Sequence, residues 1–344
     1  MTEFDVAIIG GGPAGYTAAE RASENKLNTI IFEKKALGGV CLNEGCIPTK
    51  TLLYSAKTLD GIKNASKYGV SAENPTFDLS KIISRKNKTV RMLTSGVKAR
   101  VTAHGATLVD KQAYIKGEEN GTFIIEAEGE EYKAKKIILC TGSDTLIPNI
   151  KGVESVDYWT SKEALEAKEL PQSIAIIGGG VIGMEFASFF NSMGVEVHLI
   201  EMMEEIISNM DRETAAMLRA EYSKKGINFH LQTKVVELKE GAVVVEKGEE
   251  TLEIKAERIM LSIGRKANIE NLGLENVGVE FERRAVRVNE KLQTHNKNIY
   301  ACGDVNGRYM LAHVAIREAE VAVNDILGID DMMTYNAVPA VVYT

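Results

Sequence analysis

The sequence predicts an α/β protein of two doubly wound domains, each carrying a small antiparallel β insert. Three observations predict it: a strand–turn–helix–strand pattern that occurs twice, a hairpin pattern after each copy, and a short apolar strand that closes each copy. The chain has 344 residues, enough for two or three domains that each bury a core.

In the first copy, the β-branched run Val6-Ala7-Ile8-Ile9 leads into Gly10-Gly11-Gly12-Pro13-Ala14-Gly15, an alanine-rich helix, and a run ending at Glu33. In the second, Ile174-Ala175-Ile176-Ile177 leads into Gly178-Gly179-Gly180-Val181-Ile182-Gly183, another helix, and a run ending at Glu201. From Gly10 to Glu33 and from Gly178 to Glu201 the separation is 23 residues in both cases. Each insert follows in turn. Asn120-Gly121 is a strong turn pair, so Thr122 to Glu126 and Glu131 to Ile138 read as a hairpin that closes on Cys140-Thr141-Gly142-Ser143. Ala242 to Glu246 and Thr251 to Ile254 read likewise and lead to Ser262-Ile263-Gly264-Arg265.

Between these lie helices. Lys50 to Lys63 spaces Leu52, Leu53, Ala56, Leu59 and Ile62 along one face; Leu79 to Val101 does so with Leu79, Ile82, Ile83, Val90, Leu93, Val97 and Val101. Both stripes are expected to be core. Residues 149–152 read as a linker.

Composition narrows the function. A charge of −7 argues against a nucleic-acid backbone as partner. No run of eighteen apolar residues is present, so no membrane span is expected. The acidic start, Met1-Thr2-Glu3-Phe4-Asp5, is unlike a signal peptide, and the expected compartment is the cytoplasm. Four cysteines, Cys41, Cys46, Cys140 and Cys302, are too few for a disulfide scaffold.

Each GxGxxG follows a strand, opens a helix and has an acid about twenty residues on, which is the context of a Rossmann-like dinucleotide site. The first glycine permits the turn, the second lets backbone approach a pyrophosphate, and the third allows close helix–strand packing. Unliganded turns would need the same spacing to arise twice, so two dinucleotides are expected.

The stretch Gly38-Gly39-Val40-Cys41-Leu42-Asn43-Glu44-Gly45-Cys46-Ile47-Pro48-Thr49-Lys50 holds the thiols. Five residues of regular helix separate two positions by about 7.5 Å along the axis and about 140° around it. A disulfide wants Cα atoms within about 7 Å. Bridging Cys41 and Cys46 therefore requires a distorted turn, for which Gly45 supplies freedom and Pro48 a break. Two unrelated buried thiols, a zinc site and a redox pair compete. A zinc site lacks two further ligands at motif spacing, no metal is expected, and the redox pair is preferred.

This stretch resembles the active-site signature of the pyridine nucleotide–disulfide oxidoreductases, and within that family most closely the dihydrolipoamide dehydrogenase branch. Thr294, Ile299-Tyr300-Ala301-Cys302-Gly303-Asp304 resembles the family's second FAD motif, and Met310-Leu311-Ala312-His313 its flavin-facing helix start. Trp159-Thr160-Ser161 and Asp211-Arg212-Glu213 also match. The resemblance implies electron transfer from a dithiol through Cys41–Cys46 and FAD to NAD⁺, with Lys50 and Glu185 as an ion pair beside the flavin. It implies FAD contacts from Gly10, Gly12, Pro13, Ala14, Gly15, Glu33, Lys34, Gly39, Val40, Cys41, Cys46, Lys50 and Ala106. Thr141, Gly142, Ser143, Gly303, Asp304, Met310, Leu311, Ala312 and His313 complete that set. NAD contacts are implied for Gly178, Gly179, Gly180, Val181, Ile182, Gly183, Glu185, Glu201, Val235, Gly264 and Arg265. A sister reductase acting on glutathione or mercuric ion, and a catalytically idle flavin-binding fragment, remain as alternatives.

Cys140 and Cys302 are expected to be small buried fillers. His313 reads as a helix-start residue, and His104, His198, His230 and His295 show no constellation. Glu44, between the cysteines, is expected to raise their thiolate pKa values slightly. The expected domains are 1–147 with 267–337 for FAD and 148–266 for NAD, with 338–344 a stub of the family's interface domain. The family is a homodimer with a dithiol or lipoyl-domain partner; without that domain the chain is expected to be monomeric and to pass electrons to dyes far better than to dithiols.

Overall fold

The computed structural model describes residues 3–344, so Met1 and Thr2 of the expected acidic start lie outside the described residues. The described chain forms two compact units, one of residues 3–43, 90–144 and 265–338, the other of 44–89, 145–264 and 339–344.

The first unit is built on one seven-stranded sheet. Its order is Thr107–Val109, Thr29–Phe32, Glu3–Ile9, Glu130–Leu139, Thr122–Ala127 and Tyr114–Glu119. Glu130–Leu139 has two roles. Its first half pairs antiparallel with the hairpin strand, Ala134 facing Phe123, and its last three residues pair parallel with Ile299–Ala301. Val6, Ala7, Ile8, Ile137, Ile138 and Leu139 are all sealed from solvent, as a strand with both faces covered must be. Helices Pro13–Glu24 and Ala312–Ile326 supply Ala18, Ala19, Ala22, Ala319 and Ala322 to the same core, small side chains that let helix backbones come close.

The second unit has a five-stranded parallel sheet, ordered Asn228–His230, Glu196–Ile200, Ser173–Ile177, Arg258–Leu261 and Tyr158–Trp159. Its insert is separate: Lys234–Lys239, Ala242–Lys247 and Glu250–Lys255 form their own antiparallel sheet. In both inserts the sequence reading missed the first of three strands, Tyr114–Glu119, which has only Tyr114 and Ile115 as apolar residues, and Lys234–Lys239.

The compact units differ from the expected domain ranges most at residues 44–89 and 339–344, and by two or three residues at 145–147 and 265–266. Residues 44–89 belong to the second unit because helix Cys46–Lys63 buries Leu52, Leu53, Ala56 and Leu59 in one cluster with Met184, Phe186, Ala187 and Phe190. Residues 339–344 join it as well, with Val342 against that cluster. The Leu79–Ala103 stripe also departs from expectation. Of its apolar residues only Val101 is fully buried, Leu93 is exposed, and the side chain sealed at 1% exposure is Lys86. Its ammonium is matched there by the Leu165 carbonyl at 2.8 Å and the Glu166 carboxylate.

Candidate functional site

In the first unit, strand Glu3–Ile9 ends in a glycine turn whose three glycines have three different reasons to be there. Gly10 has φ +105°, and a Cβ on it would stand 2.2 Å from the Cys140 carbonyl oxygen. A Cβ on Gly15 would stand 1.8 Å from the Gly10 oxygen. Around Gly12 the nearest atom is the Gly39 Cα at 3.9 Å, so the backbone there borders open space. Helix Pro13–Glu24 starts immediately, with no side chain capping it at Gly12. Glu33 closes the loop: its carboxylate accepts from the Gly11 N–H at 2.7 Å and from the Lys35 N–H at 2.7 Å.

Other expected residues gather in this unit. A Cβ on Gly303 would meet Ala14 Cβ at 3.6 Å and Ala315 Cβ at 3.1 Å, which wedges the Gly303–Asp304 turn between two helices. The Ser143 hydroxyl donates to the Asp304 carboxylate, and Thr141 donates to the Asn268 carbonyl at 2.6 Å. Arg265 is also here, contrary to its expected place at the second site. Its guanidinium donates to Ser143 Oγ at 2.7 Å and Ser143 O at 2.6 Å, and lies 3.9 Å from Asp304. Ala106 is buried, Met310, Leu311 and Ala312 are half-buried, and Lys34 and His313 are exposed.

The second unit repeats the loop. Gly178 has φ +106°, and its Cβ would stand 2.5 Å from the Ser262 oxygen; a Cβ on Gly183 would stand 2.0 Å from the Gly178 oxygen. Nothing lies within 4 Å of a Cβ on Gly180. Glu201 accepts from the Gly179 N–H at 2.7 Å and the Met203 N–H at 2.8 Å. Ser262, which the sequence reading did not single out, donates to the Gly178 carbonyl at 2.9 Å and fixes the turn. Val181 and Ile182 open the helix half-buried, Val235 is buried in the insert sheet, and a Cβ on Gly264 meets nothing within 4 Å.

The thiol stretch is a broken helix. Gly39–Asn43 is helical, Gly45 at φ −145° and ψ −108° interrupts, and Cys46–Lys63 is helical again. The break therefore lies at Glu44-Gly45, whereas Pro48 sits in the first turn of the second helix, where its missing N–H costs nothing. Gly39, at φ +57°, would bring a Cβ within 2.6 Å of the Gly12 Cα, so Gly39 is packed against the first loop. Val40, Cys41 and Cys46 are half-buried. The Glu44 carboxylate lies 3.3 Å from Lys162 Nζ, which compensates the charge expected to disturb the thiols.

Lys50 and Glu185 do meet. The ammonium lies 2.7 Å from both carboxylate oxygens, with Glu185 only 3% exposed. The Tyr343 N–H adds a third bond to that carboxylate at 3.1 Å, and the Tyr343 ring lies 5.0 Å from the ammonium. Such a buried pair holds because every oxygen is matched. Cys140 and Cys302 are buried, with thiols pushed well up by burial, Cys140 next by the Glu318 charge and Cys302 by Cys140. One histidine reading changes. His198 and His230, on neighbouring strands, stack at 5.4 Å with ring nitrogens 3.1 Å apart; strand pairing brings together what the sequence separates by 32 residues.

Two acid-closed glycine loops, each with open space at its middle glycine, and a cysteine pair on either side of a helix break define a class: a disulfide oxidoreductase with two dinucleotide sites. The comparisons agree. The family model described as pyridine nucleotide-disulphide oxidoreductase matches residues 4–319, and the chain belongs to this family. It is 40% identical over 332 residues to a dihydrolipoyl dehydrogenase of Acholeplasma laidlawii, covering 95% of this chain and 97% of that one. It is 39% identical to a dihydrolipoyl dehydrogenase of Bacillus subtilis, covering 96% of this chain and 73% of the relative. The copper(II) complex of the HOCl-induced flavoprotein disulfide reductase RclA from Escherichia coli superposes with a TM-score of 0.81 at 27% identity, over 94% of this chain and 71% of that one. Among the described residues no helix is long and apolar enough to cross a membrane.

Proposed function

We propose that this chain is a dihydrolipoamide dehydrogenase-type oxidoreductase, moving an electron pair from a dithiol through Cys41 and Cys46 and FAD to NAD⁺. The observation that carries this reading is the repeated loop closure, Gly11 to Glu33 and Gly179 to Glu201, which supplies a dinucleotide cradle in each unit of a chain that also carries the thiol pair. Gly12 and Gly180 leave room for a pyrophosphate, and each acid can accept from a ribose diol. The first loop, with Thr141 to Ser143, Gly303 and Asp304, would hold FAD; the second would hold NAD.

FAD, when bound, relays the electron pair between thiols and nicotinamide. In the first half-reaction a dithiol attacks the oxidised Cys41–Cys46 bridge at Cys41 and leaves as a cyclic disulfide, so both cysteines become thiols. In the second the pair is re-oxidised and NAD⁺ takes up two electrons and one proton, releasing the other proton. Lys50, its ammonium fixed by Glu185, would supply the ion pair beside the flavin that the family resemblance implies. The family resemblance supports a lipoyl dithiol as substrate and a homodimer, in place of the expected monomer, as the working form.

The test is spectroscopic. Purified protein should be yellow, and two-electron reduction should give a long-wavelength thiolate–flavin charge-transfer band. Cys46→Ser should abolish the band and Cys41→Ser should leave it permanent. Rapid-mixing measurements with dihydrolipoamide should show the band forming before NADH appears. A Cys41→Ser protein without the band would mean the sulfur roles are reversed.

A further inference from the structure

Glu318 lies on helix Ala312–Ile326, with 0% of its surface exposed. A buried carboxylate survives only if its oxygens are matched. Here Oε2 accepts from the Gly303 N–H at 2.6 Å and from Asn306 Nδ2 at 2.8 Å, and Oε1 accepts from the Tyr335 hydroxyl at 2.6 Å. Burial pushes this carboxyl up, while the bonds from Tyr335, Gly303 and Asn306 and the charge of Arg308 hold it down.

Two of those donors belong to one turn. Gly303 has φ +79°, and the helical turn Asp304–Asn306 follows it. Glu318 thus grips the turn at both ends, at the amide before Asp304 and at the side chain that closes it. Asp304 itself is oriented by Ser143 and Arg265 on its other side. Neither Glu318 nor its three donors is itself a residue of the Gly10–Gly15 loop or Glu33, and the one approach to that loop is through Gly303, where a Cβ would stand 3.6 Å from Ala14 Cβ.

We infer that Glu318 is a positioning residue for the flavin half of the first dinucleotide site, fixing the Gly303–Asp304 turn so that the Asp304 carboxylate meets the ribityl chain of FAD. This rests on the reading that the first site takes FAD. In this role Glu318 must act as an acceptor at both oxygens. Glutamine keeps the size but turns an NH₂ group toward donors, which leaves at least one of them without an acceptor.

The experiment compares two ligands on flavin-free protein. FAD and ADP are titrated into wild type, Glu318→Gln and Asn306→Ala, with thermal unfolding of each recorded. ADP fills only the adenosine half of the site, at the glycine loop and Glu33. For Glu318→Gln the expected result is a rise of about tenfold or more in the Kd for FAD, one decade being 1.4 kcal/mol, with the Kd for ADP within about twofold of wild type. Asn306→Ala, which removes one donor and leaves the carboxylate, should shift FAD in the same direction by a smaller factor, and it carries the test if the glutamine variant does not fold. Unchanged FAD affinity, or equal loss of FAD and ADP, would overturn the positioning role. Wild-type protein that bound ADP but gained nothing from the flavin half would instead overturn the FAD reading itself.

Discussion

The two glycine loops are close copies at the backbone and differ in what surrounds them. Gly10 and Gly178 have φ within one degree of each other, +105° and +106°. Gly15 and Gly183 each press on the oxygen of the first glycine, and Glu33 and Glu201 each bond the second glycine's amide and the amide two residues after themselves. The lids above them are unlike. In the first unit the loop meets the Gly303–Asp304 turn, braced by Glu318, Ser143 and Arg265. In the second unit Ser262 donates to the Gly178 carbonyl, and Gly264, like Gly142 in the first unit, has open space beside it. The inserts follow the same division, one continuing the main sheet through Glu130–Leu139 and the other forming a sheet of its own.

Breaking a loop at its first glycine should have the largest effect. Gly10→Ala sets a Cβ 2.2 Å from a carbonyl at positive φ and is expected to abolish FAD retention, while NADH binding persists. Gly178→Ala should do the converse. Flavin absorbance and NADH fluorescence on each variant check this, and joint loss of both ligands would show that the two loops do not fold independently.

Sharper, and next in size, is the choice of nucleotide. A carboxylate about 4 Å from a phosphate charge costs roughly 4 kcal/mol per unit pair at an effective dielectric of 20, less after screening. Glu201 should therefore favour NADH over NADPH by about a hundredfold, and Glu201→Ser should reduce that preference to about tenfold or less, an effect of roughly 1.4 kcal/mol. Glu33→Ser should leave the preference untouched and weaken FAD alone. Titrations with both nucleotides decide it.

At the middle glycines the expected change is smaller and purely on the ligand. A Cβ on Gly180 meets no protein atom within 4 Å, and one on Gly12 meets only the Gly39 Cα at 3.9 Å. Alanine at either position should melt like wild type yet bind its own dinucleotide about tenfold more weakly, because the methyl group occupies the phosphate's approach. Unaltered binding at both would place the phosphates elsewhere.

Acid provides the smallest separation of the two units. Burial, then the neighbouring His198 and Lys247, lower the pKa of His230 in the second unit. Its folded pKa lies below its unfolded value of about 6.5, so the stability it confers is present above that value and is lost as pH falls toward the folded pKa. Unfolding followed from pH 7.5 to 5.5 should show the NAD-binding transition weakening before the FAD-binding one, and His230→Phe should flatten that dependence.

The sequence by itself determined the fold class, both loops and the thiol stretch, because each rests on local physics. Gly10, Gly15, Gly178 and Gly183 are glycines for reasons of φ and of atoms a few residues away, and a spacing of 23 residues places an acid at the end of the adjacent strand. The pairing of Lys50 with Glu185 was legible only through family resemblance, since 135 residues separate them. What the tertiary structure decided were partners set by long-range pairing and burial: Arg265 on Ser143 and Asp304, His198 against His230, and Glu318 beneath Gly303. The place of residues 44–89 belongs with these. Helical spacing shows that Leu52, Leu53, Ala56 and Leu59 need an apolar partner, but the identity of that partner, the Met184 to Phe190 face, depends on three-dimensional packing.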